Sequence, residues 1–260
     1  MEACKIRIEI EAAGTEFKKM EEKQMNNNEN KTMNILSRVF LPILIYYFVN
    51  NLFVLAGLSF VEVIRTKAFA GNLSEGFWFY TQTLIKMAGM ALGGAAVYPY
   101  FQQENLGKEQ KNLSFQTALA LVLSGAGLSL GLNFLFAVTG FTGSSEQYSR
   151  VAETQFALPL WLACIFYGVL SPIVEEIVFR GVVYNALCRS TTSIMGIVGS
   201  ALLFGAFHGN VVQMVYAALM GIGMAFFYQK YKNLSAAILF HGAANVAVYL
   251  MVYFSDGLFF

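Results

Sequence analysis

Long apolar stretches separated by short polar segments follow residue 33 and indicate the fold class. A helix that crosses a hydrocarbon core of about 30 Å needs roughly 20 residues, at about 1.5 Å per residue. We predict seven spans, at Val39–Phe60, Phe77–Tyr98, Phe115–Thr139, Phe156–Leu187, Ile194–Phe207, Val211–Tyr228 and Leu234–Phe254. The pattern therefore predicts an all-α, polytopic integral membrane helical bundle of about seven transmembrane helices.

Two of the predicted spans depart from a regular crossing. Phe156–Leu187 is longer than one crossing needs, so we expect a bend near Pro172, whose ring removes a helical hydrogen bond. Ile194–Phe207 is short, and we expect it to end inside the protein.

Residues 1–33 are polar and biased in composition. Such a segment cannot bury enough apolar surface to offset the entropy of ordering, so we interpret it as a disordered cytoplasmic tail. It lacks the basic start and apolar stretch of a secretory signal, and we expect the first apolar segment to remain as an anchor.

Composition agrees with a membrane protein and excludes one class of partner. Hydrophobic residues make up 57% of the chain and charged residues 13%, against about 25% charged residues in a typical soluble domain. The 17 basic and 16 acidic residues give a net charge of +1. No electrostatic footprint for nucleic acid is present, so we expect the partners to be the lipid bilayer and a membrane-associated substrate.

Small residues and one lysine stand out in the apolar segments. Glycines one helical turn apart permit close approach of helices. They are found at Gly89/Gly93, Gly127/Gly131 and Gly205/Gly209. Lys86 lies in the middle of the second predicted span, where a charge is costly, so we expect it to face the bundle or to extend toward the interface.

The most informative charges interrupt the fourth predicted span: Glu175, Glu176 and Arg180. One charge at mid-membrane costs about 2.5 to 3.5 kcal/mol on insertion scales, so three need partners or water. Glu176 and Arg180 are four residues apart and share a helix face, whereas Glu175 points about 100° away. We expect Glu176 to pair with Arg180 and Glu175 to remain free to act. The alternative is that both glutamates only neutralise arginines at a helix end.

Both histidines of the chain, His208 and His241, lie in apolar segments. A single histidine in a membrane is more often a packing residue than a catalyst. Here each has a companion four residues away on the same helix face, Phe204 for His208 and Asn245 for His241. We expect these groups to meet Glu175 in one polar cavity.

These residues fit the hydrolysis of an amide, which needs a base, oxyanion donors and exclusion of bulk solvent. Glu175 with His208 is our candidate for activating water. His241 and Asn245 are candidate donors to the oxyanion.

The motifs E-E-x-x-x-R, F-x-x-x-H and H-x-x-x-N, in this order in an apolar chain, resemble the CPBP family of intramembrane proteases. That family includes the type II CAAX prenyl endopeptidases and bacterial relatives linked to bacteriocin processing or immunity. The resemblance covers about Phe156 to Phe254. It divides the chain into N-terminal transmembrane helices at 34–155 and a catalytic transmembrane core at 156–260.

The resemblance implies an endopeptidase that hydrolyses a peptide bond of a membrane-associated protein or peptide, in a multi-pass protein of the cell membrane. By resemblance, Glu175 corresponds to the catalytic glutamate, His208 to the residue that orients water, and His241 with Asn245 to the oxyanion stabilisers. Glu176 and Arg180, with Phe204, correspond to supporting residues.

The family has been described both as metalloproteases and as glutamate proteases. The chain contains no H-E-x-x-H, in which two histidines one turn apart ligate zinc. Glu175, His208 and His241 could still form a site of two histidines and one carboxylate, a ligand set that catalytic zinc uses. We favour hydrolysis without a cofactor, with zinc as the alternative.

Two other functions are consistent with parts of the pattern. A non-proteolytic membrane protein of the same fold could confer bacteriocin immunity by binding, although the intact catalytic positions argue against it. A proton-coupled transporter could use the glutamates and histidines as a relay. Inverted repeats with paired broken helices would favour transport, and no convincing internal repeat is present.

Basic residues predict the orientation, because short cytoplasmic loops carry an excess of Lys and Arg. With seven crossings, one side receives the tail, Lys108, Lys111, Arg180, Arg189, Lys230 and Lys232. The other side receives Arg65, Lys67 and Arg150. We therefore expect a cytoplasmic N-terminus, an external C-terminus and a site reached through the cytoplasmic half.

Reporter fusions test this orientation. A cytoplasmic reporter should be active at the N-terminus and an extracytoplasmic reporter should be active after Phe260. The opposite pattern at either end would overturn the assignment.

Overall fold

The computed structural model describes residues 35–67, 74–105, 107, 109–143 and 145–255, together with the backbone alone of residues 2–34 and 144. Within this part of the chain the structure consists of helices and contains no strand. We number the main helices α1 (Glu2–Lys67), α2 (Glu75–Asn105), α3 (Phe115–Val138), α4 (Glu146–Phe156), α5 (Leu160–Ser190), α6 (Ser193–Ala206), α7 (Val211–Tyr231) and α8 (Leu234–Phe254). A short 3-10 turn at Thr142–Ser144 precedes α4.

The fold class predicted from hydrophobicity is confirmed, because the described residues form a polytopic helical membrane bundle. Five helices are long and apolar enough to cross a membrane: Ile35–Lys67 of α1, and α3, α5, α7 and α8. The other two predicted spans fall in α2, whose 31 residues include more polar positions, and in α6. Length and composition thus identify five crossing helices in the described part of the chain, rather than seven.

Helix α5 carries most of the candidate chemistry and is not a uniform α-helix. It contains two π-helical segments, Cys164–Leu170 and Ile177–Tyr184, on either side of a short α-helical segment, Ser171–Glu176. Pro172 lies at the start of that α-helical segment, where its missing N–H disturbs the regular bonding. The local departure expected at Pro172 therefore takes the form of widened turns, which often occur at functional sites.

Helix α6 is short, as its short predicted span suggested. Its 14 residues extend over about 21 Å at about 1.5 Å per residue, less than a hydrocarbon core. Gly209 follows with a φ of 75°, a left-handed conformation that glycine adopts easily. Asn210 is buried and caps the start of α7, where its side chain accepts a hydrogen bond from the backbone N–H of Gln213.

Close helix packing was predicted correctly at some glycines and wrongly at others. A Cβ added at Gly89 or Gly93 would collide with α1, and one added at Gly205 would collide with the backbone of α7. No atom of the described residues lies within 4 Å of a Cβ added at Gly127 or Gly131. A spacing of four shows that two glycines share a helix face but not which way that face points.

In α3 the contact is instead made at Gly125, where an added Cβ would overlap the backbone carbonyl oxygen of Phe240 in α8. Gly125 and Gly127 are two residues apart, so they lie on different sides of the helix. The α3–α8 packing that helps to hold His241 in place therefore depends on a glycine outside the predicted motif.

A polar cluster ties α1, α2 and α5 together near the end of the bundle that contains Ser190. Glu104 is buried and forms ion pairs with Arg189 at 3.1 Å and Arg38 at 3.6 Å. Asn185 donates to the Gly181 carbonyl at 2.8 Å and to the Tyr228 hydroxyl at 2.8 Å. The Asn185–Tyr228 bond connects this part of α5 to α7.

Arg180 was counted among the cytoplasmic basic residues that predict the orientation, and the structure removes it from that count. Its side chain is 0% exposed, so it belongs to the interior and not to a loop. The backbone of residues 2–33, the segment predicted to be a disordered tail, is helical and belongs to α1. Lys108 lies outside the described residues, and the side of the membrane assigned to it and to the tail stays a prediction.

Candidate active site

Glu175 and Glu176 lie at the end of the α-helical segment of α5, between its two π-helical segments. Both are buried. Ser171, one turn earlier, donates from its Oγ to Glu175 Oε1 at 2.6 Å. One oxygen of the Glu175 carboxylate is therefore held, and no described residue makes a hydrogen bond to the other. The side chain of Glu175 keeps 12% exposure.

Glu176 forms the centre of a bonded cluster. Its Oε1 accepts a hydrogen bond from Arg180 Nη1 at 3.0 Å and another from His241 Nδ1 at 2.9 Å. Glu176 and Arg180 are both 0% exposed and one turn apart on one helix face. The structure thus contains the Glu176–Arg180 pair, and adds a bond from Glu176 to α8.

The surroundings of Arg180 explain how a guanidinium can be buried. Its Nη2 donates to the carbonyl of Gly221 at 3.1 Å, and its Cζ lies 4.6 Å from the centre of the Phe204 ring. A Cβ added at Gly221 would lie 3.1 Å from Nη2, so the absence of a side chain there makes the approach possible. A paired, hydrogen-bonded and ring-stacked arginine avoids much of the cost of leaving water.

His241 bridges the two glutamates. Because a carboxylate only accepts, Nδ1 must donate to Glu176. The other ring nitrogen, Nε2, lies 3.7 Å from Glu175 Oε2. This separation is too long for a direct hydrogen bond, so Oε2 and Nε2 face each other across a gap. The two carboxylates consequently have different environments, one bonded to an arginine and a histidine, the other to a serine.

His208 reaches the cluster through Phe204. Its Nδ1 lies 2.9 Å from the Phe204 carbonyl oxygen, which can only accept, so Nδ1 carries a proton and neutral His208 has an unprotonated Nε2. The Phe204 ring centre lies 4.9 Å from the His208 ring centre and 5.7 Å from that of His241. The structure records no hydrogen bond between His208 and Glu175 among the described residues.

Asn245 follows His241 by one turn and contacts the first π-helical segment of α5. Its Nδ2 donates to the Tyr167 carbonyl at 2.8 Å, which leaves the second N–H of the amide for another acceptor. Asn245 also lines a cavity of about 90 Å³ between α3, α4, α7 and α8. A cavity of this size holds several waters.

This cavity bears on the direction of access. It lies at the end of the bundle that contains α4, whereas Lys230 and Lys232 mark the other end. We expected access through the cytoplasmic half, the half that the predicted orientation assigns to Lys230 and Lys232. The cavity does not support that expectation, because charge counts in loops carry no information about where interior space remains.

The candidate zinc ligands do not form a metal site as they stand. Among the described residues, no group of three or more His, Cys, Asp or Glu side chains is arranged to hold an ion. Glu175 and His241 approach each other at 3.7 Å, but His208 hydrogen-bonds the carbonyl of Phe204 instead. The donor set of Glu175, His208 and His241 therefore does not fit zinc in this arrangement.

Three residues at the site were missed by sequence reasoning. Ser171 is four residues from Glu175, so the spacing that paired Glu176 with Arg180 could have identified it. Tyr46 of α1 and Tyr167 of α5 both lie in the neighbourhood of Glu175. Tyr46 is 1% exposed and its ring centre lies 5.4 Å from that of Phe207. No pattern in the sequence connects α1 to the motifs of the last third.

The site thus combines a pair of buried glutamates with a bridging histidine inside a polytopic helical bundle. Residues 157–247 match the family model described as type II CAAX prenyl endopeptidase Rce1-like. The match contains every candidate site residue from Ser171 to Asn245. The resemblance to CPBP proteases is thus confirmed over this segment.

A curated relative points to the same class. The Bacillus subtilis (strain 168) protein named "Putative membrane peptidase YdiL" is 28% identical over 143 residues, covering 47% of this chain and 58% of the relative. The chain therefore matches just over half the length of that relative. No solved structure matches the chain significantly. The comparisons support a protease, and its chemistry and substrate are a matter for proposal.

Replacing Glu176 with Gln should lower stability. The change removes the charge that faces Arg180 in a fully buried site, and breaking a buried pair from one side costs about 3 to 5 kcal/mol. Thermal unfolding of the purified variant in detergent should therefore occur well below the wild-type temperature. Glu62→Gln is the matched control, because Glu62 is exposed on α1. This variant should unfold at the same temperature as the wild type. Equal melting of Glu176→Gln and wild type would contradict this assignment.

Proposed function

We propose that the protein is an intramembrane endopeptidase in which Glu175 activates a water molecule. One observation carries the proposal: His241 lies between the two buried glutamates, bonded to Glu176 and facing the open oxygen of Glu175 across 3.7 Å. The family match over residues 157–247 supports this class of activity. The arrangement gives the two carboxylates separate tasks.

Glu175 suits the role of general base. Ser171 fixes its Oε1, so Oε2 has a defined direction toward the gap beside His241 Nε2. A water held beside Oε2 and Nε2 could transfer a proton to Oε2 while its oxygen attacks the peptide carbonyl. The proton would then pass from Glu175 to the amine that leaves. Positioning of this kind is effective because the surrounding helices exclude bulk solvent.

Two groups are placed to stabilise the negative oxygen of the tetrahedral intermediate. His241, whose Nδ1 is bonded to Glu176, would donate from Nε2 when protonated. Asn245 has an N–H beyond the one that it gives to Tyr167. His208, with its tautomer set by Phe204, has an Nε2 that can accept a hydrogen bond from water. In this proposal Glu176 and Arg180 hold His241 in place.

The substrate in this proposal is a membrane-associated peptide or protein, and the enzyme is a multi-pass protein with its N-terminus in the cytoplasm. The relative's name describes a membrane peptidase, and the family model is described as a prenyl endopeptidase. A carboxylate site enclosed by apolar helices favours a substrate that already partitions into the bilayer. The proposal does not require that the substrate carry a prenyl group.

Replacing Glu175 with Gln should abolish most turnover with little effect on folding. The amide keeps the shape and can still accept the Ser171 hydrogen bond, but it cannot act as a base. Activity should fall by about 10²- to 10⁴-fold, the usual contribution of general base catalysis. Cleavage of a peptide substrate and melting in detergent measure the two effects.

The outcome separates peptidase action from immunity by binding, since a binding protein would retain its protective effect in Glu175→Gln. The roles of the two glutamates would be wrong if Glu175→Gln cleaved normally, or if Glu176→Gln were fully stable yet inactive.

Activity should also survive removal of metal ions. The proposal of a metal-free reaction is supported by the candidate ligands, which do not converge on one point. Purified protein treated exhaustively with a chelator should keep its peptidase activity, with metal content measured in parallel. Loss of stoichiometric zinc together with activity, and recovery of both when zinc is added, would reverse this view.

A further inference from the structure

Lys86 is a charge without a partner in the apolar part of the bundle. It lies near the middle of α2 and is exposed, and no described residue forms an ion pair or hydrogen bond with it. Ionisable side chains in apolar helices are uncommon and are often associated with function. The exposed ammonium is free to bind an anionic group that is not a described residue of the chain.

Lys86 lines a groove between α2, α4 and α5. We call it the Lys86 groove and define it by Lys86, Thr83, Arg150, Gln155, Phe166 and Tyr167. The groove has a volume of about 360 Å³. Its charged side chains are both basic, and Arg150 has a weak contact with exposed Glu146 at 3.7 Å. The remaining polar groups are uncharged, so the groove is suited to one anionic group.

The groove adjoins the candidate active site at Tyr167. The Tyr167 carbonyl accepts the hydrogen bond from Asn245, and Tyr167 precedes Ser171 by one turn. Glu175 is one further turn along the same helix. A ligand in the Lys86 groove would therefore extend toward the gap between Glu175 and His241.

The helices give the distance between the two positions. Gly94 of α2 packs against Val174, so this point of α2 is level with the glutamates. Lys86 comes eight residues before Gly94, which is about 12 Å along a helix at about 1.5 Å per residue. An extended peptide covers about 3.3 Å per residue. The separation thus corresponds to about three to four residues of extended substrate.

The position of Lys86 along α2 favours a peptide over a lipid headgroup. Lys86 is eleven residues beyond Glu75, the first residue of α2, and therefore about 16 Å from that end. Glu75 pairs with Arg65 at the end of α1, as expected near a surface. Lys86 is thus nearer to the level of the glutamates, eight residues away at Gly94, than to that end of the helix.

We propose that the Lys86 groove binds a carboxylate of the substrate peptide, three to four residues from the bond that is cleaved. The proposal rests on the peptidase function proposed above and adds a substrate requirement to it. The carboxylate is either an acidic side chain or a free C-terminus. Its bond with the Lys86 ammonium is charge-assisted and supplies positioning as well as affinity.

Cleavage of matched peptides tests the requirement. Purified full-length protein is given synthetic peptides in which each position in turn carries Asp or Asn, with free or amidated C-termini, and products are located by mass spectrometry. The wild type should prefer the carboxylate about tenfold or more in kcat/KM at three to four residues from the cut, as expected for a charge-assisted hydrogen bond. Lys86→Gln should lose this preference mainly through KM, and Lys86→Glu should prefer Lys at the same position.

Lys67→Gln is the matched control, because Lys67 is an exposed lysine at the end of α1 and does not line the groove. It should retain the wild-type preference. If the wild type cleaves Asp and Asn peptides equally at every position, or if Lys86→Gln keeps the preference, the proposal is overturned while the peptidase function stands.

A binding measurement keeps the proposal testable without turnover. Fluorescence anisotropy of a labelled Asp peptide and its Asn counterpart should show about tenfold weaker binding of the Asp peptide to Lys86→Gln than to wild type. If binding depends on Lys86 but no peptide is cleaved, the groove assignment stands and the peptidase function fails. If native mass spectrometry instead shows phosphatidylglycerol retained by wild type and lost from Lys86→Gln, with no effect on peptides, the groove binds lipid and the proposal is overturned.

Discussion

The buried pair between Glu176 and Arg180 is the interaction on which the rest of the site depends. Each charge alone would be costly in this interior, but together they form a bond at 3.0 Å and share further partners. Arg180 also binds the Gly221 carbonyl, and Glu176 also binds His241. A single pair thereby connects α5, α7 and α8. The carboxylate that neutralises Arg180 also holds His241, the candidate catalytic histidine, in position.

Widened turns in α5 accompany this arrangement. The π-helical segments at Cys164–Leu170 and Ile177–Tyr184 flank the two glutamates, and each brings backbone close to another helix. The first supplies the Tyr167 carbonyl to Asn245 of α8, and the second supplies the Gly181 carbonyl to Asn105 of α2. Carbonyls that are less committed within a widened turn can accept bonds from neighbouring helices, which an apolar environment strongly favours.

Sequence reasoning predicted those features that depend on one helix at a time. Hydrophobic length located the helices, and a spacing of four residues placed Glu176 beside Arg180. Contacts between helices were harder to predict, because the spacing of residues within one helix does not determine how that helix is rotated or shifted relative to its neighbours. The bond from His241 to Glu176 and the packing at Gly125 depend on how two helices face each other. Tyr46 could not be foreseen, since α1 shares no motif with the last third of the chain.

The point at which α6 ends restricts the number of residues in the segment from Ser193 to Asn210 as well as their identity. His208 follows the last turn of this helix, and its ring stays beside Phe204 at 4.9 Å only while that end is kept. One extra turn would shift it by about 5.4 Å. Insertions and deletions should therefore be rejected between Ser193 and Asn210 even where single substitutions are accepted. Among homologous chains, the length of this segment should vary less than its composition.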